Sequence, residues 1–414
     1  MPFNGFVEVP IDTLAMLTQF GLILAIGIIA KAVSNKTKLP FVVLLIIFGT
    51  IAASVGVLSL ELLGNMPDLI RILALIIIIF SAGFHLKLKD VKADSKLILS
   101  LATLGVFLTL FIISGITFAL LSIPLLSAIV LGALLSGSDT AAISSAETGE
   151  KSRIKTILLS ESVFNQPLTL ILPLILLDYL VKPEMAWLNV PKFFAMIIIG
   201  GVVGLGGAFW GQKILQACKH KHEEIIGLMI AIGVFVIAEN FFGSGIVAVA
   251  VTSLLLSSTS KKETHFLGNF TEQLAFLFTI FVFIMLGMQF TFSQLAALGI
   301  NRFEIVVIAV ALLVARMVSV MLISIKTDLS TMQRIKLGLI SPKGIGPAAM
   351  APLFVAYGIT GSEIILKIVY IAIIISVFLS MIAFSFAKKP KTINEQRLEK
   401  KVERKSKQEV ISPG

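Results

Sequence analysis

Long apolar runs separated by short polar connectors fill the chain from residue 13 to residue 387. Thirteen can be marked, at approximately 13–32, 39–57, 68–86, 97–122, 124–146, 154–181, 190–211, 224–240, 244–258, 266–290, 303–325, 334–357 and 362–387. A helix needs about 20 apolar residues to cross a bilayer. The pattern therefore predicts an all-α polytopic membrane protein with about thirteen transmembrane helices. The connectors leave no room for a soluble domain between spans. Beyond Ala387 the chain turns to KKPKTINEQRLEKKVERKSKQ, which predicts a basic cytoplasmic tail over 388–414.

Two runs are interrupted in their middles. The fifth breaks at Ser136-Gly137-Ser138-Asp139-Thr140, and the twelfth at Ser341-Pro342-Lys343-Gly344-Ile345-Gly346-Pro347. Two prolines and two glycines in so short a stretch do not continue a helix. Unwound backbone at membrane depth is tolerated only inside protein or beside a wet cavity. Interrupted helices at matching places in two halves point to a transporter of inverted repeats with crossed discontinuous helices. The expected repeats are about 13–181 and 224–387, joined by a linker helix at about 190–211, with 1–387 as one transporter domain.

Composition agrees and adds an orientation. The 414 residues are 57% hydrophobic and 14% charged, where a soluble domain is about a quarter charged. The net charge of +10 reads as orientation rather than as a nucleic-acid footprint, because the basic residues alternate by loop. One set of connectors holds Lys31, Lys36, Lys38, Lys87, Lys151, Arg153, Lys261, Lys326 and the tail, among others, whereas the other holds Arg71, Lys182, Lys192, Arg302 and Lys367. The positive-inside rule then puts the N-terminus outside and the C-terminus in the cytoplasm of the cell membrane. The absence of Lys or Arg before the first run argues against a cleaved signal peptide. A single cysteine, Cys218, excludes a disulfide framework. No His/Cys metal set or nucleophile triad is present, so no cofactor and no enzyme activity are expected.

Embedded polar residues carry the candidate chemistry. Each charge costs at least about 2.5–3.5 kcal/mol at the membrane centre, so it marks an ion pathway by default. Asp139 reads as a cation ligand and proton acceptor helped by the Ser138 and Thr140 oxygens. It reads equally as a charge that neutralises the positive end of a half-helix. Lys343 would do the converse at the second break. Arg316 cannot shed its proton and needs a partner, either Glu161 or Glu239, and a Glu161–Arg316 pair would hold two spans together. Ser162, Asn165 and Gln166 follow Glu161, with Asn165 on the same helical face. Their neutral oxygens suit a cation or hydrogen bonds between helices. The histidines His85, His220, His222 and His265 all fall at cytoplasmic loop edges.

At these residues the sequence resembles the monovalent cation/proton antiporter superfamily, on its NhaP-like side. Lys38-Leu39-Pro40 is similar to the family's LP element, and Ile79-Phe80-Ser81-Ala82-Gly83-Phe84 to its FEAGL segment, with Ser81 where the acid often stands. Ser138-Asp139-Thr140-Ala141-Ala142 resembles TDPVA, Glu161-Ser162-Val163-Phe164-Asn165-Gln166 resembles ESLLND, and Ser341-Pro342-Lys343-Gly344-Ile345 resembles APRGI. Arg316 matches the arginine of the eleventh span. The resemblance implies a homodimer whose core domain, around the crossed spans, moves against a dimerisation domain. It also implies an ion site at the residues matching Asp139, Ser162 and the ND aspartate, supported by the Glu161–Arg316 pair. Here that last aspartate is Gln166, which does not titrate.

Three outcomes follow. Asp139 takes over the exchange, binding Na+, K+ or H+ in turn in an electroneutral one-for-one antiporter. Alternatively, an ion moves without that coupling, by a facilitator, a symporter or an anion carrier past Lys343. In the third, the protein is a non-transporting membrane sensor or scaffold, which costly broken helices with embedded charge disfavour.

Overall fold

The computed structural model describes residues 11–64, 66–86, 88–139, 153–181, 189–218, 222–259, 265–293 and 301–387. Regular structure among them is helical: α1 (Ile11–Thr37), α2 (Phe41–Ser54), α3 (Met66–His85), α4 (Leu88–Ala93), α5 (Ser95–Leu121), α6 (Leu125–Leu135), α7 (Arg153–Val181) and α8 (Asn189–Ala217). There follow α9 (Glu223–Asn240), α10 (Gly245–Thr259), α11 (His265–Met288), α12 (Arg302–Ile323), α13 (Thr331–Leu339), α14 (Ile345–Ala356) and α15 (Ser362–Ala387). Among the described residues, eight of these (α1, α3, α5, α7, α8, α11, α12 and α15) are long and apolar enough to cross a membrane. Four shorter apolar helices (α2, α6, α10 and α14) accompany them.

The helices pack as two sets. One holds α1, α2, α3 and α8 to α11; the other holds α5, α6, α7 and α12 to α15. Lipid tails are as apolar as leucine, so such helices associate through close packing rather than through a hydrophobic drive. The α2–α11 crossing shows this. A Cβ on Gly49 would lie 2.4 Å from the Ile284 carbonyl oxygen, and one on Gly287 only 2.2 Å from that of Ile46. Beside this crossing the Thr50 hydroxyl donates to the Gly287 carbonyl (3.0 Å) and lies 2.9 Å from the Tyr370 hydroxyl on α15. That contact joins the two sets through polar groups.

Both predicted breaks lie in the second set. Helix α6 ends at Leu135, and the Ser136 hydroxyl turns back to the Ala133 carbonyl (2.8 Å). Residues 137–139 leave the helix, and Thr140 lies outside the described residues. At the second break α13 is capped by Ser330 and Gln333, which accept from each other's backbone N–H groups, and it stops at Leu339. The chain is non-helical over 340–344 and coils again at Ile345. The break is thus narrower than its sequence implies. Pro347 is the third residue of α14, where a missing N–H costs nothing because no carbonyl precedes it to be bonded. Helix α7 runs unbroken through Pro167 and Pro173.

Candidate functional site

The two breaks meet and bond to each other. The Asp139 N–H donates to the Pro342 carbonyl (3.0 Å). Two residues past Lys343, the Ile345 N–H donates to Asp139 Oδ2 at 2.6 Å. In the other direction the Lys343 ammonium donates to the Gly137 carbonyl (2.7 Å) and to the Ser341 hydroxyl (3.1 Å). Each charge therefore sits on the opposite half's helix end. The carboxylate faces the exposed N–H groups that open α14, and the ammonium faces the exposed carbonyls that close α6. Both are buried, at 3% and 2% exposure. That burial is tolerable because the half-charges of the helix ends replace water.

Gly344 makes the approach possible. A Cβ there would stand 2.4 Å from Asp139 Cγ and Oδ2, inside any permitted contact. The glycine's φ of −156° lies outside the left-handed region, so the requirement visible here is the space beside the carboxyl.

Helix α7 supplies the next layer. The Ser162 hydroxyl donates to the Ser138 carbonyl (2.8 Å), and Asn165 Nδ2 donates to the Ser138 hydroxyl (3.2 Å). Asn165 Oδ1 is buried with no hydrogen-bond partner among the described residues. Glu161 binds Arg316 through both oxygens, at 2.5 and 2.6 Å, with the carboxylate 1% and the guanidinium 5% exposed. Arg316 Nε reaches on to the Leu337 carbonyl at 3.3 Å, tying the end of α13 to α12. Of the two partners open to Arg316, the fold selects Glu161. Glu239 instead accepts from the Gly245 N–H (2.8 Å) and caps α10.

A cavity of about 10 Å³ lies between the breaks, bordered by Ser138, Asp139, Gln166, Thr169, Gly344 and Gly346 among others. It holds about one water-sized sphere. Among its lining residues Asp139 is the one that carries a carboxylate. Gln166 faces the same space with a neutral amide. Ser81 is buried in α3 and does not border it.

Three contributors escape a reading of the sequence: Thr169, which borders the cavity, and Ser376 and Ser380 on α15. Ser376 Oγ accepts the Lys343 N–H (2.9 Å), and Ser380 Oγ accepts the Ser341 N–H (3.2 Å). Thr169 carried a signal, because it follows Gln166 by three positions and shares its face. The two serines carried a weaker one, a four-residue spacing that puts them on one face of a largely apolar span.

At the end of the second set, Arg153 clamps two acids. Its guanidinium bonds Asp94 (2.6 and 2.9 Å) and Asp328 (2.9 and 3.0 Å), linking the start of α7 to the α12–α13 connector. The hydrogen bond from Arg153 holds the Asp328 carboxyl below the usual carboxylate range. No group of three or more His, Cys, Asp or Glu residues suited to a bound metal occurs among the described residues.

Two breaks that meet inside an apolar helical fold, an acid on one and a base on the other, fit a helical secondary transporter. The particular family follows from comparison: the model described as "Sodium/hydrogen exchanger, transmembrane" matches residues 21–387, and the chain belongs to that family. It is similar to the probable Na(+)/H(+) antiporter 2 of Methanocaldococcus jannaschii, 28% identical over 363 residues that cover 81% of this chain and 84% of that protein. It is also similar to the K(+)/H(+) antiporter NhaP of Alkalimonas amylolytica, 25% identical over 86% of this chain and 63% of that longer protein. Among solved structures it resembles the sodium proton antiporter MjNhaP1 of Methanocaldococcus jannaschii. That match has a TM-score of 0.76 at 22% identity, covering 90% of this chain and 96% of the other, which is a likeness of fold.

Proposed function

We propose that the chain exchanges a monovalent cation, Na+ or K+, for H+ by alternating access, and that the two ions compete for Asp139. One observation carries the assignment: Asp139 is the carboxylate that borders the cavity between the breaks, while Glu161, the nearest alternative in sequence, is held by Arg316. A carboxylate accepts either a proton or a cation at the same oxygens, so occupancy by one releases the other. Ser138, Thr140, Ser162, Asn165 and Gln166 complete the proposed site with neutral oxygens, which hold a desolvated cation without adding charge. Lys343 balances the carbonyl end of α6, and the Glu161–Arg316 pair holds α7 against α12.

The same reading extends to the architecture. The site-bearing set of helices moves against the other, within a homodimer, with the N-terminus outside and the basic tail in the cytoplasm. The halves 13–181 and 224–387 act as inverted repeats about a linker at 190–211. In support, a later helix bonds each break through serine hydroxyls: Ser162 of α7 at the first, and Ser376 and Ser380 of α15 at the second. Relatives named for Na+ and for K+ both match, so the cation is left to measurement.

The test is transport into proteoliposomes holding a pH-sensitive dye, with Na+, K+ or Li+ added outside. Cation-driven change in lumenal pH is expected, and it disappears in Asp139→Asn. Cation flux without any pH change overturns the exchange; exchange that survives in Asp139→Asn overturns the site.

A further inference from the structure

The backbone of the second break has N–H groups to satisfy at membrane depth, and α15 meets them with a matched spacing. In an extended chain the N–H groups of residues i and i+2 point the same way, about 6.6 Å apart. Side chains at i and i+4 of a helix share a face, about 6 Å apart along the axis. Ser341 and Lys343 have the first spacing; Ser380 and Ser376 have the second and run antiparallel to them. Two hydrogen bonds result, Ser341 N–H to Ser380 Oγ (3.2 Å) and Lys343 N–H to Ser376 Oγ (2.9 Å). The Ser376 hydroxyl gives its own proton to the Ile373 carbonyl (3.0 Å), which aims its lone pairs at the break. Both serines are 3% exposed, so these bonds lie away from bulk solvent.

The row continues into the site. Two residues beyond Lys343, the N–H of Ile345 is the donor to Asp139 Oδ2. Between them Gly344 packs against the Asp139 carboxyl with no space to spare. The register of the break against α15 therefore sets where Ile345 and Gly344 stand, and through them where Asp139 can hold its oxygens.

We infer that Ser376 and Ser380 are positioning residues for ion binding: they act through the backbone of the second break to place Asp139. This rests on the exchange reading above and adds to it two residues that touch neither ion. A merely structural serine and a positioning serine differ in what they change. Loss of the first lowers the amount of active protein, and with it the maximal rate, at unchanged KM. Loss of the second lets the break shift, so the carboxylate binds the cation less well.

The experiment is cation-dependent exchange by the full chain in proteoliposomes, titrated with NaCl and with KCl. Wild type is compared with Ser376→Ala, Ser376→Thr and Ser380→Ala at equal amounts of folded protein. Ser376→Ala is expected to raise the cation KM about three- to tenfold, the range for one lost buried hydrogen bond, at an unchanged maximal rate. Ser376→Thr, which keeps the hydroxyl, restores the KM. Amide hydrogen exchange over 341–345, which needs no transport, accelerates in Ser376→Ala and in Ser380→Ala. A fall in maximal rate with KM unchanged in both alanine variants overturns the inference, as does unchanged amide protection. If Ser376→Ala does not fold, Ser380→Ala and the threonine variant carry the comparison. Wild type that exchanges nothing overturns the proposed function instead, and the amide measurement still judges the serines.

Discussion

Replacing Gly344 by alanine adds one methyl group at the point where the two breaks touch. The new carbon would lie 2.4 Å from Asp139 Cγ and Oδ2 and 2.7 Å from Asp139 Cβ. Non-bonded carbons rest at about 3.5–4.0 Å, so the carboxyl must retreat by about 1 Å or more. It cannot do so and keep its 2.6 Å bond from the Ile345 N–H. A hydrogen bond to a charged group is worth about 1.5–3 kcal/mol, equal to about tenfold to a hundredfold in cation affinity. Gly346→Ala is the control: a Cβ there meets nothing nearer than Gln166 Nε2 at 3.4 Å, ordinary contact. Both variants would be reconstituted and their exchange titrated against cation concentration, with melting in detergent measured alongside. The expected result is a KM defect in Gly344→Ala and near-normal exchange in Gly346→Ala. Equal behaviour of the two variants, in either direction, would refute the reasoning.

Three further outcomes are expected. Arg316→Gln leaves Glu161 charged and buried at 1% exposure, a loss of about 3–5 kcal/mol. Adding Glu161→Gln recovers most of the melting temperature, and a double variant less stable than either single one would contradict the pairing. Gln166→Asp puts a second carboxylate beside the cavity and raises the number of protons exchanged per cation, read from the gradients at which net flux vanishes. An unchanged ratio would show that position 166 takes no part. Asp328, whose carboxyl lies below its usual range because Arg153 bonds it, contributes stability that is present above the ordinary carboxylate pKa and is lost as pH falls through the lowered value. Melting curves of wild type and Arg153→Gln should therefore differ at neutral pH and converge in acid; a constant offset would dismiss the clamp.

Much of this was legible in the sequence because a bilayer punishes irregularity. A Gly/Ser/Asp break inside an apolar run is costly enough that it must be buried and bonded, so both breaks and the charges on them could be marked in advance. What the chain could not disclose was partnership. Arg316 had two acids open to it, and only packing brings Glu161 rather than Glu239 within reach. Asp139 had two readings, and the residue has a feature relevant to each: it accepts the Ile345 N–H that opens α14, and it borders the cavity. Ser376 and Ser380 were hard to single out for a local reason. A serine in a span ordinarily bonds its own preceding turn, and nothing in the residues of α15 says that an extended segment lies alongside. The second break was drawn too long because Pro347, a helix breaker in most settings, is harmless in a first turn.

The crossing of the breaks has an electrical consequence. Lys343 and Asp139 offset each other, as do Arg316 and Glu161, and the two helix ends between them carry opposite half-charges. In the proposed one-for-one exchange, a cation or a proton on Asp139 would give the loaded assembly the same formal charge on its way in and on its way out. Moving one elementary charge through 100 mV takes about 2.3 kcal/mol, and a cycle that displaces none is indifferent to that sum. Under that proposal membrane voltage would neither drive the exchange nor oppose it. The cell would be left to set the balance through the ratio of its inner and outer cation concentrations and its pH difference alone.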